Sequence, residues 1–564
     1  MDNIADLVVI STIYSAENNK VFEAFAVKDG KYIYVGDVNG VKRYIKNGVT
    51  EVIDNYKNAL IIPGCTEGHG HYIGIDGLVR NMPAFYVDFP ELNDLIKQKI
   101  TDEKPEQFIS WSFDYEKIKN NNDPKRNYAQ ELENIAPDIP VLIFDRSGHQ
   151  AICNVTALKK SGLYYSKRVR GGNVFLDDKG NANGIISDEA IMYVLDHVFD
   201  FTKIDPEIYK KACLMEIDTL HQRGFTNYCD AYLNCLTDNM FYKFVKQLDE
   251  ADELNINMVS THCLRSFDSE LYIEKIDHIT ELTEKYSSKH FNPHNLKLFA
   301  DGVTEASSGW LIEEYPNAPK GKEHGNIIWS CEELKKIILY ANSKDIPVHV
   351  HTFGDGACKA VVDAFVNANK VLKRFTPNTL AHVRNITDED IARCSEYNIG
   401  IVENLNWHND ALPKDDQEYE KYISFMNSIL PKGIYENGYP MKSLLKAGIN
   451  VSSSTDAPCA EAFEGNILNI IEVAVTGIEP NDNDSRPFNV DELLSVNEAL
   501  DCMTINGAKQ LGIEDKCGSI KVGKNADFVI IDTNFLDYKG EQLKTIHNAK
   551  ILEVYFEGKS VYKK

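Results

Sequence analysis

Two histidines stand one residue apart just after an apolar run near residue 65. The segment IIPGCTEGHGHY places His69 and His71 at the end of a strand-like stretch. Side chains two residues apart in a strand point to the same side, so both imidazoles can reach one cation. Imidazole is the commonest metal ligand among protein side chains. The pair therefore predicts a metal site at the end of a strand.

More side chains with ligand or acid–base chemistry follow later apolar runs. They are Lys297 in LKLFADG, His349 and His351 in PVHVHTFG, His382 in NTLAHVR, and Asp456 in NVSSSTDA. A lone histidine at a strand end is more often a hydrogen-bonded structural residue. The evidence for a metal site is therefore that such residues recur at the ends of several strands. Imidazoles with one carboxylate and no thiolate suit Zn²⁺ in an open, catalytic site. The ligand types leave Mn²⁺, Fe²⁺ and Ni²⁺ open.

The elements that would bring these residues together are short buried strands. Apolar runs of the right length lie at 59–64, 224–231, 256–263, 296–302, 347–354, 378–384, 398–406 and 450–457. Amphipathic helical stretches such as 332–344 and 355–371 separate most of them. Eight strands alternating with helices predict an α/β protein with a (β/α)₈ TIM-like barrel, rather than an open doubly wound sheet. The carboxyl ends of barrel strands share one face, where active sites lie.

Both ends of the chain have the character of β structure. We expect residues 1–62 and 514–564 to pair into a small β-sandwich and residues 63–513 to form the barrel. About 150 residues separate the first two barrel strands, which is far longer than an ordinary connection. This stretch predicts an inserted subdomain after the first barrel strand, at about 73–205.

Composition narrows the class of partner. The chain has 564 residues and a net charge of −25, which disfavours nucleic acid and anionic membranes because both need clustered Lys and Arg. The first residues, MDNIADLVVISTIY, are acidic where a secretory signal is basic, and no run approaches a membrane span. Twelve scattered cysteines without a CxxC pair indicate reduced core residues. We expect a cytoplasmic protein that binds a small molecule.

Taken together, the motifs resemble those of the amidohydrolase superfamily of metal-dependent hydrolases, and specifically its YtcJ-like branch. The resemblance covers nearly the whole chain. It is carried by PGCTEGHGH at 63–71, SGHQAICN at 147–154, KLFADG at 297–302, HTFGD at 351–355, AHVRN at 381–385, TDAP at 455–458 and GSIKVGKNADFV at 518–529.

The resemblance implies a set of metal ligands. His69 and His71 would bind one divalent ion with Asp456, and His351 and His382 would bind a second. Lys297 matches the position where many relatives carry a carboxylated lysine that bridges two ions. The alternative is a plain lysine in a salt bridge, with a mononuclear site. Zn²⁺ is the expected ion in either case.

The implied activity is hydrolysis of a C–N bond in a small amide, N-acyl or N-formyl compound by a metal-activated water. Asp456 would accept a proton from the water and deliver it to the leaving amine. Deamination or another metal-assisted hydrolysis is the alternative. A non-catalytic assembly protein is a third reading, which the full ligand set disfavours. Family analogy also implies a homodimer.

Substrate contacts are expected from the loops and the insert, at His149, Trp310 and His408. Aromatic residues near the strand ends indicate an apolar or aromatic substrate. His349 is expected to be structural.

The chain also departs from the family pattern. Glu67 replaces an aspartate before the histidine pair, residues 383–385 read Val-Arg-Asn, and Trp407 precedes His408. None of these removes a ligand, so they bear on substrate identity.

Overall fold

The computed structural model describes residues 4–56, 58–71, 73, 89–113, 126–145, 149–165, 168–200, 206–233, 238–304, 307–318, 320–457, 465–482 and 484–564. Its strands are β1 (Leu7–Tyr14), β2 (Val21–Lys28), β3 (Lys31–Gly36), β4 (Glu51–Ile53), β5 (Leu60–Pro63), β6 (Cys65–Gly70), β7 (Phe108–Phe113), β8 (Val141–Asp145), β9 (Gln150–Cys153), β10 (Gly172–Leu176), β11 (Ala182–Asp188), β12 (Phe225–Leu233), β13 (Asn257–Cys263), β14 (Phe291–Phe299), β15 (Val348–His351), β16 (Thr379–Ala381), β17 (Gly400–Glu403), β18 (Leu412–Pro413), β19 (Val451–Ser453), β20 (Ser485–Arg486), β21 (Phe528–Ile531), β22 (Ile551–Phe556) and β23 (Lys559–Lys563).

The helices lie mainly between the strands of the middle of the chain. They are α1 (Val38–Val41), α2 (Phe89–Glu103), α3 (Tyr128–Ile135), α4 (Val155–Lys160), α5 (Glu189–Val198), α6 (Pro206–Gln222), α7 (Asp238–Glu250), α8 (Tyr272–Tyr286), α9 (Cys331–Ser343), α10 (Asp355–Leu372), α11 (Asp388–Glu396), α12 (Asp416–Ile429), α13 (Met441–Lys446), α14 (Ile467–Thr476), α15 (Val496–Met503) and α16 (Ile505–Gln510). Short 3₁₀ turns lie at Lys42–Tyr44, Ser266–Leu271, Leu405–Trp407, Val490–Glu492 and Gly540–Asn548. Among the described helices, none combines the length and the apolar character needed to cross a membrane.

Eight parallel strands form the barrel, in the order β6-β12-β13-β14-β15-β16-β17-β19. The two outermost strands, β6 and β19, meet just beyond their carboxyl ends. There the Asp456 N–H donates to the His69 carbonyl (2.9 Å) and the His71 N–H donates to the Ala457 carbonyl (2.8 Å). The predicted (β/α)₈ TIM-like barrel is thereby confirmed. Helices pack on its outside, as α10 does with the fully buried Ala357, Val361 and Ala364.

The assignment of the run 59–64 to the first barrel strand was wrong. Residues Leu60–Pro63 pair instead with β1 and β21 in the sheet made by the chain ends. The barrel begins with the next six residues, β6. Gly64 makes the crossing because a Cβ there would lie 2.1 Å from the Thr226 hydroxyl oxygen. The strand β6 is fully buried although its sequence, Cys-Thr-Glu-Gly-His-Gly, is largely polar. A search for apolar runs therefore selects the neighbouring Leu60–Pro63 instead.

The two chain ends share one sheet, with the strand order β23-β22-β21-β5-β1-β2-β3 and β4 beside β1. Three strand spacings, about 14 Å in a flat sheet, separate β2 from β21. The rings of Phe25 in β2 and Phe528 in β21 nevertheless lie 5.0 Å apart. The sheet therefore curls around a common core. The antiparallel pairing of β5 with β21 joins the two chain ends, as predicted.

The segment between the first two barrel strands contains its own five-stranded sheet, ordered β10-β11-β9-β8-β7. The helices α3, α4 and α5 pack on it with a separate apolar core that includes Leu142, Ala151 and Ile191. This is the predicted inserted subdomain. Its outer limits at about 73 and 205 fall at or beside residues outside the described ranges, and the domain boundaries stay predictions.

Candidate metal centre

Strand register brings the predicted ligand positions to one rim of the barrel. The β14–β15 pairing sets Lys297 beside His349 and Phe299 beside His351. The β15–β16 pairing sets His351 beside Ala381, so His382 follows at once. Neighbouring parallel strands thus bring these side chains close to one another at the carboxyl end of the barrel.

The Asp456 carboxylate contacts two of the histidines. Its Oδ1 lies 3.2 Å from His71 Nε2 and 3.4 Å from His69 Nε2. Ligand atoms of His69, His382 and Asp456 all lie within 4.8 Å of one another. The Lys297 Nζ is 3.4 Å from His69 Nε2. Side chains separated by up to 387 positions in the sequence therefore share one cluster.

His351 lies beside this cluster and completes the six predicted positions. The centre of its ring is 5.0 Å from that of His382. Its Nε2 lies 3.2 Å from the Gly302 carbonyl oxygen. The structure therefore places all six residues at the same rim, and their roles as ligands stay predictions.

Two of these residues have left-handed backbones. His382 has φ of 65° and Asp456 has φ of 54°, each just after a barrel strand. Such conformations cost a non-glycine residue about 1–3 kcal/mol and persist where the surroundings enforce them, most often at functional sites. Backbone hydrogen bonds enforce them here: the His382 N–H donates to the Val402 carbonyl, and the Asp456 N–H to that of His69.

Hydrogen bonds at the Nδ1 atoms of His69 and His382 hold these two rings in place. His69 Nδ1 shares a 2.7 Å hydrogen bond with His349 Nε2, and His382 Nδ1 donates to Asn404 Oδ1 at 2.5 Å. Such bonds orient a histidine ligand and set its tautomer. We expected His349 to be structural, and the structure brings it into contact with a ligand candidate. The feature of the sequence that pointed to this contact was the spacing of two residues between His349 and His351.

The charge states suit a divalent cation. Burial lowers the pKa of His69, His349 and His351 well below the usual range, and that of His382 to about 4. Burial alone would raise the pKa of Asp456, but His382, His71 and Lys297 together hold it below its usual range. Neutral nitrogen lone pairs beside an ionised carboxylate are a donor set that Zn²⁺ accepts.

Lys297 is fully buried in this cluster. Among the described residues, no carboxylate oxygen lies within 4.0 Å of its Nζ, which instead sits 4.7 Å from the centre of the Phe299 ring. Burial lowers its pKa to about 8. The salt bridge that was the alternative for Lys297 thus has no partner in the described part of the chain.

Two buried carboxylates brace the rim. Glu67 accepts hydrogen bonds from the Thr455 N–H (2.9 Å), the Thr455 hydroxyl (2.7 Å) and the His69 N–H (3.2 Å). Asp301 accepts from the N–H groups of Trp310, Phe353 and Gly354. Burial raises the pKa of each to about 7. Glu67, one of the departures from the family pattern, thus ties β6 to the loop that bears Asp456.

The three predicted substrate residues lie in different surroundings. The ring of His149 is 6.1 Å from that of His351. Trp310 lies against the first turn of α10, and its carbonyl accepts a hydrogen bond from the Gly356 N–H. His408 is fully buried in a separate apolar cluster, with its ring 5.7 Å from that of Phe488. Their substrate roles stay predictions.

Trp407, the neighbour of His408, stacks on His382 with ring centres 5.6 Å apart and an angle of 24°. It was predicted only as one of several aromatic residues near the rim. In the structure its ring covers one face of a candidate ligand.

A parallel barrel with a histidine–aspartate cluster at its carboxyl-end rim defines the class of protein. The sequence model of the amidohydrolase family matches residues 51–562, so the chain belongs to that family. It is 24% identical to Protein LONG AFTER FAR-RED 3 of Arabidopsis thaliana, over 99% of this chain and 92% of that protein. It is 21% identical to an N-substituted formamide deformylase of Arthrobacter pascens, over 99% of this chain and 98% of the relative.

Among solved structures, an uncharacterized metal-dependent hydrolase from Pyrococcus horikoshii has the same fold. Its TM-score is 0.70 at 19% identity, covering 94% of this chain and 98% of that one.

Proposed function

We propose that the protein is a metal-dependent hydrolase that cleaves the C–N bond of a small amide, with N-formyl and N-acyl amines as the first substrate classes. The observation that carries the proposal is the convergence of His69, His382 and ionised Asp456 at the barrel rim. The likeness to a formamide deformylase over the full chain supports the choice of N-formyl compounds.

The residues present fit one or two zinc ions. The first would be held by His69, His71 and Asp456, and the second by His351 and His382. A carboxylated Lys297 would be shared by both. An ion bound here would polarise the scissile carbonyl and lower the pKa of a water molecule towards 7. The lowered pKa of Lys297 supports its carboxylation, because only the neutral amine adds to carbon dioxide, and the carbamate would bring two oxygens to the cluster.

Asp456 is the proton carrier in this proposal. Its carboxylate is ionised, so it can accept a proton from the attacking water. The same group then delivers the proton to the departing amine. Trp407, stacked on His382, offers an apolar surface beside the candidate ligands that would help to exclude water.

The test is a substrate screen on the zinc-loaded protein. N-formyl and N-acyl amines are compared with aminated heterocycles, and release of formate or carboxylate is followed separately from release of ammonia. We expect carboxylate release that chelation abolishes and Zn²⁺ restores. Ammonia release from heterocycles alone would favour deamination instead.

A variant pair ties the activity to the cluster. His69→Ala should lose bound zinc and turnover together, whereas His278→Ala, at an exposed histidine of α8, should keep both. A zinc-free protein that still hydrolyses amides would refute the proposal.

A further inference from the structure

A buried histidine of the barrel lies directly behind one of the candidate ligands. His349 is 3% exposed and lies on β15, in register with Lys297 of β14. Its Nε2 is 2.7 Å from His69 Nδ1, and the two ring centres are 4.8 Å apart. Among the described side chains, three have ligand atoms within 4.8 Å of one another, namely His69, His382 and Asp456. His349 is not one of them, so it reaches the candidate site through His69.

The 2.7 Å contact needs a hydrogen on one ring and a lone pair on the other. Both rings are neutral, because burial lowers the pKa of His69 and of His349 well below the usual range. A neutral imidazole has one N–H and one nitrogen lone pair. The bond therefore has two possible directions. Either His69 Nδ1–H donates to His349 Nε2, or His349 Nε2–H donates to His69 Nδ1.

Only the first direction leaves His69 able to bind a metal ion. Its Nε2 is the atom that faces the cluster, at 3.4 Å from Asp456 Oδ1 and 3.4 Å from Lys297 Nζ. A neutral ring with its hydrogen on Nδ1 has a lone pair on Nε2, whereas a ring with its hydrogen on Nε2 has none there. Ion binding at this atom thus requires His69 to donate and His349 to accept.

The two groups on the Nε2 side of His69 do not select one direction. The Asp456 carboxylate accepts hydrogen bonds and favours a hydrogen on Nε2, whereas the Lys297 amine can donate one and favours a lone pair there. On the Nδ1 side, the hydrogen-bond partner in the described part of the chain is His349. The tautomer of His69 therefore depends on this contact.

We propose that His349 is the positioning residue of the metal site: it accepts a hydrogen bond from His69 Nδ1–H and so keeps the Nε2 lone pair of His69 directed at the ion. The inference rests on the proposed function, because it needs a metal ion at the rim. It deepens that function by naming a residue that sets the strength of ion binding. An ion on Nε2 polarises the N–H on the other side of the ring, so loss of the acceptor weakens the bound state more than the free one.

The zinc affinity of the full chain, measured by competition with a chromogenic chelator, tests the proposal without turnover. His349→Phe keeps a planar ring but removes the acceptor, so zinc should bind about 10–100-fold more weakly. His349→Gln puts an amide oxygen near the position of the lost Nε2, and Kd should return to within about threefold of the wild-type value. The rescue separates hydrogen bonding from packing, because packing alone does not require an acceptor.

The matched control is His294→Phe on the neighbouring strand β14. His294 Nε2–H donates to the Asp345 carbonyl at 3.0 Å, and this variant should leave the Kd for zinc unchanged. His349→Leu replaces His349→Phe if that chain does not fold, as judged by circular dichroism.

The outcomes separate this inference from the proposed function. Unchanged zinc affinity in His349→Phe, or equal weakening in His349→Phe and His349→Gln, would overturn the positioning role. If the series behaves as expected and the zinc-loaded wild type hydrolyses no amide, the proposed function fails while the role of His349 stands. A wild-type chain that binds no zinc would overturn both.

Discussion

Asp456 is the residue on which the chemistry depends most. It closes the barrel through its backbone N–H, while its side chain meets His69 and His71 within 3.4 Å. Its left-handed φ of 54° turns the chain out of β19 at the position where the carboxylate is needed. Structural and chemical demands therefore coincide at one residue.

Asp456→Asn should separate metal binding from proton transfer. The amide keeps an oxygen for the ion but cannot accept and return a proton, so we expect kcat to fall by about 10³-fold. Zinc content, measured by elemental analysis, should stay above about half of the wild-type value, because His69 and His71 remain. Asp388→Asn, at an exposed acid in the first turn of α11, controls for the lost charge. A variant at position 456 with near-normal kcat would exclude the proton-carrying role.

Residue types and spacing predicted which side chains meet, but not how each one is used. His349 and His351 have the same spacing as His69 and His71, and only the contact with β6 shows that His349 hydrogen bonds His69. Trp407 rather than His408 reaches His382, because β17 ends at Glu403 and a 3₁₀ turn follows. The predicted strand runs on to 406, and strand alternation does not hold through a 3₁₀ turn.

At the scale of elements, apolar runs predicted the positions of the barrel strands better than the residues at which the strands begin and end. The strand β14 begins at Phe291, five residues before the predicted start, although Asn292 and Pro293 there are poor strand formers. Pairing of Phe291 with Met258 in β13 overrides that local preference. Tertiary pairing of this kind leaves no periodic signal in one sequence, so the prediction missed it.

The junction between the barrel and the end sheet depends on one histidine just before β14. His290 Nδ1 donates to Asp249 Oδ1 of α7 at 2.7 Å, and its Nε2 lies 3.2 Å from Glu557 Oε1 in the turn between β22 and β23. Burial disfavours its charge, but these two carboxylates outweigh burial and raise the pKa from 6.5 to about 9. A protonated His290 therefore links the two units.

The stability of the folded protein should fall as pH rises from about 6.5 to about 9. Because folding raises the pKa of His290, protonation of this residue stabilises the folded state fully below about pH 6.5. This contribution to the free energy of unfolding, on the order of 3 kcal/mol, is lost as pH rises to about 9. We expect Tm to decrease between pH 6.5 and 9, and His290→Gln to remove most of that slope. His278→Gln, at an exposed histidine of α8, should keep it. An identical pH profile in His290→Gln would show that the junction does not depend on this charge.

At the scale of the whole molecule, the candidate site exists only when the barrel is closed. Its ligand positions run from His69 on β6 to Asp456 after β19, and these two strands meet through backbone hydrogen bonds at the rim. Binding of an ion there should therefore stabilise the closed barrel as a whole. The insert adds His149 from outside, and the end sheet fixes the start of β6 through β5.

A crystal structure of the zinc-loaded protein, with anomalous scattering collected at the zinc edge, tests this account most directly. We predict an anomalous peak about 2.0–2.2 Å from His69 Nε2 and from a carboxylate oxygen of Asp456. Density at Lys297 would show at the same time whether the amine is carboxylated. A zinc-soaked crystal with no anomalous peak among His69, His71, His382 and Asp456 would contradict the account.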